Sequence, residues 1–433
     1  MANNAFYLIS LGCPKNEVDS DSLISGLFDS GWQKAKQPQE ADVILVTTCS
    51  FIQTAVEEAV ESILEAVDFK EGGARKLVVA GCLVSRYGKP ELEKLLPEVD
   101  LFIDFPDYAH LPELLGSENV MKAGTPRNFS STLEKGYVYI KLGEGCRRAC
   151  SFCTIPKIRG PLVSRPWQDI RDEALFFISQ GIKELVLIAQ DTTSYGIDLY
   201  GKSYLAFLID RLCELEGDFR LRLMYLHPEG IDHEILYSMA DPKVYPYVDI
   251  PLQHVDPAIL RKMNRGGDGA SHHRLLDRIR YELGDVSLRA TFMTGFLGED
   301  DASFAMIEDF IASERFDWLG LFRYSQEEGT RAFSIPGMVE ADRAEERLIR
   351  LTELQEEIMR DKARGFIGRR LQVLVEGRSL EAPGYWEARS WREAPEVDGV
   401  IFVRDHEALR PGAFFETTIT GNEGIDLIGA IDD

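Results

Sequence analysis

The strongest constraint on the fold of this chain is a repeated alternation of short apolar runs with amphipathic helical segments. Three of the runs lie in the first hundred residues, at 5–10, 43–47 and 76–80. Each is almost continuously apolar, which is typical of parallel strands covered on both faces. The alternation predicts a doubly wound α/β domain over residues 1–121.

Six further apolar runs follow a polar linker at 122–135, again with amphipathic segments between them. These runs lie at 137–142, 184–190, 220–226, 247–252, 288–294 and 318–324. Six strand–helix units in one region predict a partial (βα)6 barrel of the TIM type over residues 132–365.

The pattern changes near residue 371, where short alternating segments are separated by Gly, Pro and Asp. These segments lie at 371–376, 385–390, 399–403, 414–420 and 425–428. Five short strands predict a small antiparallel β-barrel, similar to an OB-fold, over residues 366–433. The predicted fold class is therefore α/β and multidomain.

The composition narrows the class of protein. Of 433 residues, 45% are hydrophobic and 28% are charged, a globular balance that excludes disordered and fibrous chains. The longest apolar runs are too short to cross a bilayer, and the first residues lack the basic segment of a secretory signal. We therefore expect a cytoplasmic protein with no membrane partner. Its formal net charge of −24 should repel nucleic acid and suit a basic protein, although high charge also serves plain solubility.

Three of the seven cysteines form a C-x3-C-x2-C motif directly after a predicted strand. They are Cys146, Cys150 and Cys153. Three thiolates can bind three irons of a four-iron cluster and leave the fourth iron open to another ligand. Structural zinc normally needs four closed ligands, and no fourth cysteine lies nearby. A zinc knuckle or a group of buried thiols is the competing interpretation.

Three other cysteines indicate a second site of the same kind. Cys13, Cys49 and Cys82 each follow one of the three N-terminal strands, about one strand–helix unit apart. Because the carboxyl ends of parallel strands meet at one edge of a sheet, these thiols should converge without a local motif. Core packing is the usual role of a single buried cysteine, and we assign it to Cys213.

The segment GEGCRRACSFCTIPKIRG resembles the radical S-adenosylmethionine enzymes, in which an aromatic residue, here Phe152, precedes the last cysteine. That resemblance implies that the open iron chelates S-adenosylmethionine and that an electron from the reduced cluster yields a 5′-deoxyadenosyl radical. Such a radical removes hydrogen from an unactivated C–H bond, which no side-chain acid or base can do.

The whole chain resembles the methylthiotransferase family of these enzymes, in which an N-terminal three-cysteine domain and a C-terminal TRAM domain flank the barrel. This resemblance implies two [4Fe-4S] clusters. The cluster held by Cys13, Cys49 and Cys82 would carry the sulfur that is methylated and inserted. One S-adenosylmethionine would supply the methyl group and a second would supply the radical.

Five segments narrow the resemblance to the branch of the family that modifies ribosomal protein S-twelve. They are SLGCPKNEVDS (10–20), SRPWQDI (164–170), QDTTSYG (190–196), DIPLQH (249–254) and EAPEVDGVIFV (393–403). The branch implies methylthiolation of an aspartyl β-carbon of S-twelve, free or in the small ribosomal subunit. It also implies a flavodoxin- or ferredoxin-type reductant and a sulfide or polysulfide donor.

The charge of the C-terminal barrel gives an independent check on this branch. Residues 371–433 contain 13 Asp and Glu against five Arg, so the domain is acidic. A domain that grips tRNA should be basic, whereas an acidic one suits a lysine- and arginine-rich ribosomal protein. We therefore predict docking of a protein and do not expect tRNA as a partner.

The resemblance also implies a cofactor site at the carboxyl ends of the barrel strands, where barrel enzymes carry their active sites. The residues that it assigns to S-adenosylmethionine are Phe152, Gln190, Asp191, Thr294, Gly295 and Tyr324. Ordinary turn roles compete with this assignment.

Several polar residues near these positions permit two interpretations each. Arg159 and Arg165 could pair with a cofactor or substrate carboxylate or form surface ion pairs. His254 could orient the substrate or simply occupy a turn, and His272 and His273 are interpreted as a solvated helix start.

Two functional alternatives stay open at this point. The first is a tRNA adenosine methylthiotransferase of the same family, which the charge of the C-terminal barrel argues against. The second is a non-catalytic iron–sulfur or zinc protein that binds RNA. Iron content and cleavage of S-adenosylmethionine distinguish it from an enzyme.

Overall fold

The computed structural model describes residues 4–71, 76–117 and 127–431, and the chain divides into two compact units. The first unit comprises residues 1–131 with the segments 144–147 and 154–163, and the second comprises the remainder. The predicted boundary at residue 121 lies outside the described residues, so the three-domain division stays a prediction. Within the described ranges, no helix is both long and apolar enough to span a membrane.

The first unit is a parallel sheet covered by helices. Its strands are β1 (Ala5–Ser10), β2 (Gln33–Lys34), β3 (Val43–Thr48), β4 (Lys76–Gly81) and β5 (Leu101–Ile103). Its helices are α1 (Pro14–Asp29), α2 (Gln53–Glu71), α3 (Cys82–Tyr87), α4 (Lys89–Leu95), α5 (Leu111–Leu114) and α6 (Ile155–Ile158). The strand order is β2-β1-β3-β4-β5. Alternate residues of β3 and β4 pack into two cores, one on each face of the sheet, which confirms the doubly wound α/β prediction.

Residues 127–131 differ from the predicted polar linker because they pack against α1. Arg127 is buried and donates to Oδ2 of Asp21 at 2.8 Å, and the Ser131 amide donates to Oδ1 of Asp21 at 3.1 Å. Residues 122–126 of that predicted linker lie outside the described ranges. The polar composition was therefore misleading, since an ion pair compensates the burial of these charges.

The central strands confirm the predicted partial barrel. The elements are β6 (Tyr137–Lys141), β7 (Gly143–Glu144), β8 (Val163–Ser164), β9 (Glu184–Ile188), β10 (Arg220–Leu223), β11 (Tyr247–Gln253), β12 (Ser287–Thr294) and β13 (Trp318–Arg323). Six of them form two parallel three-stranded sheets, ordered β6-β9-β10 and β11-β12-β13. The Leu226 amide donates to the Asp249 carbonyl at 2.8 Å where the two sheets meet. Every predicted barrel strand is present within a few residues of its expected bounds.

Helices surround these strands. They are α7 (Trp167–Ser179), α8 (Ile197–Tyr200), α9 (Leu205–Cys213), α10 (His233–Met239), α11 (Pro257–Lys262), α12 (Gly269–Leu283), α13 (Asp301–Glu314) and α14 (Ala341–Arg364). Asp268 and Asp300 cap α12 and α13, each with a serine three residues later that completes a capping box.

The C-terminal strands close into a barrel, as predicted. They are β14 (Arg370–Arg378), β15 (Tyr385–Arg389), β16 (Ile401–Arg404), β17 (Ala413–Glu423) and β18 (Asp426–Ala430). The order around the barrel is β14-β15-β16-β18-β17, and β16 pairs with β18 in parallel.

A buried ion cluster joins this barrel to the amino-terminal ends of the central strands. Glu184 accepts a hydrogen bond from Arg222 at 2.5 Å and forms an ion pair with Arg389 at 2.9 Å, and all three side chains are almost fully buried. Arg222 also donates to the carbonyls of Trp391 and Ser390. Although burial opposes it, the two guanidinium groups lower the pKa of Glu184. The loop after β15 is thus fixed by charge-assisted hydrogen bonds.

A glycine contact lies at the same junction. Gly136 precedes β6 with φ of +82°, and a Cβ there would lie 2.5 Å from the Cα of Gly412. Gly181 has a similar φ of +88° but open space where its Cβ would be. A side chain at Gly136 would therefore meet both backbone strain and a steric clash, whereas one at Gly181 would meet backbone strain alone.

We expect Gly136→Ala to destabilise the protein more than Gly181→Ala. Both substitutions carry the strain of a left-handed alanine, about 1–2 kcal/mol. Only Gly136→Ala also forces two backbone segments apart. Thermal unfolding of the two variants compares them directly. Equal melting temperatures would show that the Gly412 turn moves aside without cost.

Candidate active site

Cys13, Cys49 and Cys82 lie at one edge of the sheet in the first unit. Each directly follows the carboxyl end of β1, β3 or β4, three strands that are adjacent in the sheet. Cys13 is exposed, Cys49 is half-buried and Cys82 is buried. Burial raises the pKa of Cys49, and the neighbouring Cys13 adds to the effect. The structure therefore brings the three thiols together, and their burial increases from Cys13 through Cys49 to Cys82.

Two glycines make room for these cysteines. Gly12 has φ of +103°, and a Cβ there would lie 3.0 Å from the Cβ of Cys49. Gly81 has φ of +100°, and a Cβ there would lie 2.7 Å from the Thr48 carbonyl. Both positions need glycine for the backbone conformation and for space. The cysteine loops therefore pack closely against one another at these two glycines.

The Asn16 side chain ties the three cysteine loops together. Its Nδ2 donates to the Leu11 carbonyl at 2.9 Å and to the Thr48 carbonyl at 2.7 Å. Its Oδ1 accepts from the Cys82 thiol at 3.5 Å. Sequence reasoning assigned no role to Asn16. The available signal was a polar residue one turn into α1, on the same helical face as Cys13.

Arg159 belongs to the same cluster, although a surface ion pair was one interpretation of it. Its guanidinium is buried and donates to Asp19 at 2.6 Å, to Asn16 at 2.5 Å and to the Cys82 sulfur at 3.3 Å. Burial raises the pKa of Cys82 to about 12, and the charge of Arg159 opposes that shift. Arg165, the other candidate, pairs with Glu173 at 2.6 Å.

The second cysteine trio lies within one short stretch of the chain, residues 146–153. Cys146 is assigned to the first unit and Cys150 and Cys153 to the second, and all three are half-buried. In the second unit, the last residue of α11 and a residue beyond it hold the segment around Cys150. Ser151 donates to the Lys262 carbonyl at 2.6 Å, and Arg265 approaches the Cys150 sulfur at 3.8 Å. The sequence did not predict this support.

No single-ion metal site accompanies the cysteines: across 4–71, 76–117 and 127–431, no three His, Cys, Asp or Glu side chains are arranged to hold one ion. A four-iron cluster makes a different demand, because each thiolate binds a different iron.

Phe152 and Tyr324 meet in one aromatic cluster of the second unit. Phe296 joins them, with its ring centroid 6.3 Å from Phe152 and 4.8 Å from Tyr324. Burial raises the pKa of Tyr324, and its buried hydroxyl has no hydrogen-bond partner in the described part of the chain. A buried hydroxyl of this kind is available to a ligand.

Glu299, which sequence reasoning missed, organises the turn after β12. Its carboxylate accepts from Thr294 Oγ1 at 3.1 Å, from the Gly295 amide at 3.0 Å and from Arg347 at 2.7 Å. His254 Nε2 lies 3.3 Å away, and Nδ1 of that ring faces two backbone amides. Nδ1 is therefore the acceptor, and Nε2 carries the proton that faces Glu299.

Asp191 and Gln190, which is half-buried, follow the carboxyl end of β9. Although burial raises it, hydrogen bonds from Ser194, Thr193 and Arg148 hold the pKa of Asp191 below its usual value. The ionised carboxylate thus fixes Arg148 at the end of the strand.

Two further buried histidines of the second unit have lowered pKa values. Burial and the charge of Arg265 lower the pKa of His227 to about 3 and that of His272 to about 4. His272 is only 4% exposed, so its interpretation as a solvated residue was wrong, although it does lie in the first turn of α12.

We expect Glu299→Gln to destabilise the second unit by about 3–5 kcal/mol, because it leaves the buried Arg347 without its carboxylate. The matched control is Asp301→Asn, which removes the exposed partner of the same arginine and should leave stability unchanged. Urea unfolding of both variants measures the difference. Equal midpoints would show that Glu299 contributes no net stabilisation.

Family models match three parts of the chain. Residues 5–104 match "Uncharacterized protein family UPF0004", residues 140–311 match the Radical SAM superfamily and residues 367–431 match the TRAM domain.

Curated relatives match it throughout. A protein of Carboxydothermus hydrogenoformans named "Ribosomal protein uS12 methylthiotransferase RimO" is 40% identical over 98% of both chains. A protein of Aquifex aeolicus with the same name is 40% identical over 98% of this chain and 96% of its own.

Solved structures share the fold at low identity. The radical S-adenosylmethionine methyltransferase TsrM of Kitasatospora setae, solved with cobalamin and a [4Fe-4S] cluster, superposes with a TM-score of 0.57. It is 14% identical, and the match covers 95% of this chain and 84% of that one. The cobalamin-dependent radical enzyme OxsB gives a TM-score of 0.53 at 13% identity, over 82% of this chain and 56% of its own. These likenesses concern the fold alone.

Proposed function

This chain belongs to the RimO family of ribosomal protein uS12 methylthiotransferases, and on that basis we propose that it inserts a methylthio group at the β-carbon of a uS12 aspartate. It is a radical S-adenosylmethionine enzyme with a TRAM domain. The observation that carries the finer proposal is the presence of two separate cysteine trios. The trio after β1, β3 and β4 supports a second cluster beside the one expected in every radical S-adenosylmethionine enzyme.

The N-terminal residues fit an iron–sulfur cluster. Cys13, Cys49 and Cys82 would hold it, and three thiolates leave one iron for an exchangeable sulfur ligand. Close packing at Gly12 and Gly81 holds the cysteine loops against one another, which supports a shared ligand. Cys13 is the exposed member, so this edge of the site can be reached from solvent.

The residues of the second trio fit the other cluster. Cys146, Cys150 and Cys153 would hold it, and the C-x3-C-x2-C spacing again leaves one iron open. When bound, the reduced cluster with S-adenosylmethionine supplies the hydrogen abstraction that side-chain acids and bases cannot provide.

The remaining cofactor contacts come from the carboxyl ends of the barrel strands. The residues that we propose for S-adenosylmethionine are Phe152, Gln190, Asp191, Thr294, Gly295 and Tyr324. The Tyr324 hydroxyl is a buried donor with no partner in the described part of the chain, and Phe296 packs between its ring and that of Phe152. Thr294 and Gly295 would act through the turn that Glu299 holds. Asp191 would act by fixing Arg148.

The C-terminal barrel would dock the protein substrate. Of the five arginines in residues 371–433, Arg389 and Arg392 are buried in ion pairs, and three reach solvent. A nucleic-acid surface needs clustered basic side chains, so this acidic surface favours a basic ribosomal protein over tRNA. A cytoplasmic location, a flavodoxin- or ferredoxin-type reductant and a sulfide or polysulfide donor complete the proposal.

Mass spectrometry tests the reaction. The assay incubates uS12 with the reconstituted enzyme, S-adenosylmethionine, sulfide and a reductant. We expect one aspartyl hydrogen of uS12 to be replaced by a methylthio group. Fragmentation should place the added mass on the aspartate side chain. The control is tRNA incubated in parallel, which should stay unmodified. A methylthiolated adenosine with unmodified uS12 would overturn the proposal.

Iron content tests the two clusters. The wild-type chain should bind about eight irons after anaerobic reconstitution, and Cys82→Ser should bind about four. Asn16→Asp should also bind about four irons, because a carboxylate cannot donate to the Leu11 and Thr48 carbonyls. Cys213→Ser is the control and should retain all the iron. Zinc without iron in the wild-type chain would instead favour a non-catalytic metal protein.

A further inference from the structure

Arg159 lies against the N-terminal cysteine trio in a way that the proposed function does not use. We propose that Arg159 is a positioning residue that sets the reduction potential of the cluster held by Cys13, Cys49 and Cys82. The proposal rests on the proposed function only in taking the bound group to be an iron–sulfur cluster. Arg159, Cys82 and all the contacts used below belong to the first compact unit.

The guanidinium of Arg159 is held in one orientation. It donates to Asp19 Oδ2 at 2.6 Å and to Asn16 Oδ1 at 2.5 Å, and it lies 3.2 Å from both Glu144 carboxylate oxygens. Its plane covers the Phe105 ring, with the Cζ atom 3.9 Å from the ring centroid. Its side chain is 2% exposed. A cation bound on so many sides does not rearrange freely, so its distance to the thiol is set by the fold.

The cation contacts a cluster ligand directly. Nη2 of Arg159 donates to the Cys82 sulfur at 3.3 Å, and Cys82 is the most buried of the three thiols. A hydrogen bond to a ligating sulfur and a nearby positive charge both stabilise the reduced, more negative cluster. Removal of Arg159 would leave the carboxylates of Asp19 and Glu144 beside the cluster without their cation. The reduction potential should therefore fall.

Tyr108 is a second polar residue beside this arginine. Its hydroxyl oxygen is buried and has no hydrogen-bond partner within the described residues. Its ring packs on Phe105 at a centroid distance of 5.3 Å, and the charges of Asp19, Arg159 and Cys82 act on it. The proposal extends to this hydroxyl as a donor to the bound cluster, and its loss should lower the potential less than loss of Arg159 does because it carries no charge.

The first unit contains a matched control for these effects. Arg127 forms a second buried ion pair with α1, 2.8 Å from Asp21, and both side chains are at most 4% exposed. None of its described contacts involves a cysteine. Loss of Arg127 should thus cost stability in the same way as loss of Arg159 without touching the cluster.

The experiment is a redox titration of the N-terminal cluster, followed by electron paramagnetic resonance. The full-length chain carries Cys146→Ala, Cys150→Ala and Cys153→Ala, so that one cluster gives the signal. The variants are Arg159→Gln, Arg159→Lys, Tyr108→Phe and Arg127→Gln, and iron is counted in each. We expect the midpoint potential to fall in Arg159→Gln, to recover partly in Arg159→Lys, to fall slightly in Tyr108→Phe and to stay unchanged in Arg127→Gln.

Each outcome decides one question. An unchanged potential in Arg159→Gln with full iron content overturns the role of Arg159 and leaves the proposed function intact. An equal fall in Arg127→Gln overturns it as well, because the effect would then follow from general destabilisation. If Arg159→Gln fails to assemble a cluster, Arg159→Lys and Tyr108→Phe decide, and unchanged potentials in both overturn the proposal. Absence of iron from the parent chain overturns the proposed second cluster itself.

Discussion

The parallel arrangement of adjacent strands is the constraint on which the N-terminal site depends. Strands that run in one direction deliver their following loops to one edge, so three cysteines far apart in sequence become neighbours. The sheet alone sets this convergence only coarsely. The Asn16 side chain refines it, because its amide nitrogen holds the loops of Cys13 and Cys49 and its oxygen reaches Cys82. Three hydrogen bonds of one amide thus align three separate loops.

Buried charges recur wherever the chain must hold a loop in place. Glu184 fixes the loop after β15, Glu299 fixes the turn after β12, and Arg159 is fixed among Asp19, Asn16 and Glu144. Each has partners that offset the cost of burying a charge. Such networks specify one geometry more strictly than apolar packing does, because hydrogen bonds are directional. Directional hydrogen bonds of this kind can fix the cysteines or backbone atoms that a site presents to a bound group.

The strands and the class of fold could be predicted because burial on both faces demands continuous apolar runs. All three predicted N-terminal strands, all six barrel strands and all five C-terminal strands are present. The four short strands β2, β5, β7 and β8 were missed, since two or three residues carry no clear period. The buried roles of Arg127, Arg159 and His272 were also missed. Charged and polar residue types are usually exposed. Only hydrogen-bonding partners that are distant in sequence offset the free-energy cost of burying Arg127 and Arg159.

The sequence by itself determined how many thiols each site offers and which strand end carries them, because spacing along the chain and strand direction are local properties. It determined the acidic character of the C-terminal barrel for the same reason. Only the tertiary structure decided which polar groups surround those thiols. Asn16 and Arg159, which are 143 residues apart, meet at Cys82, and Glu144 pairs with that arginine. A hydrogen bond depends on distance and direction in space, and neither can be read from the order of residues along the chain.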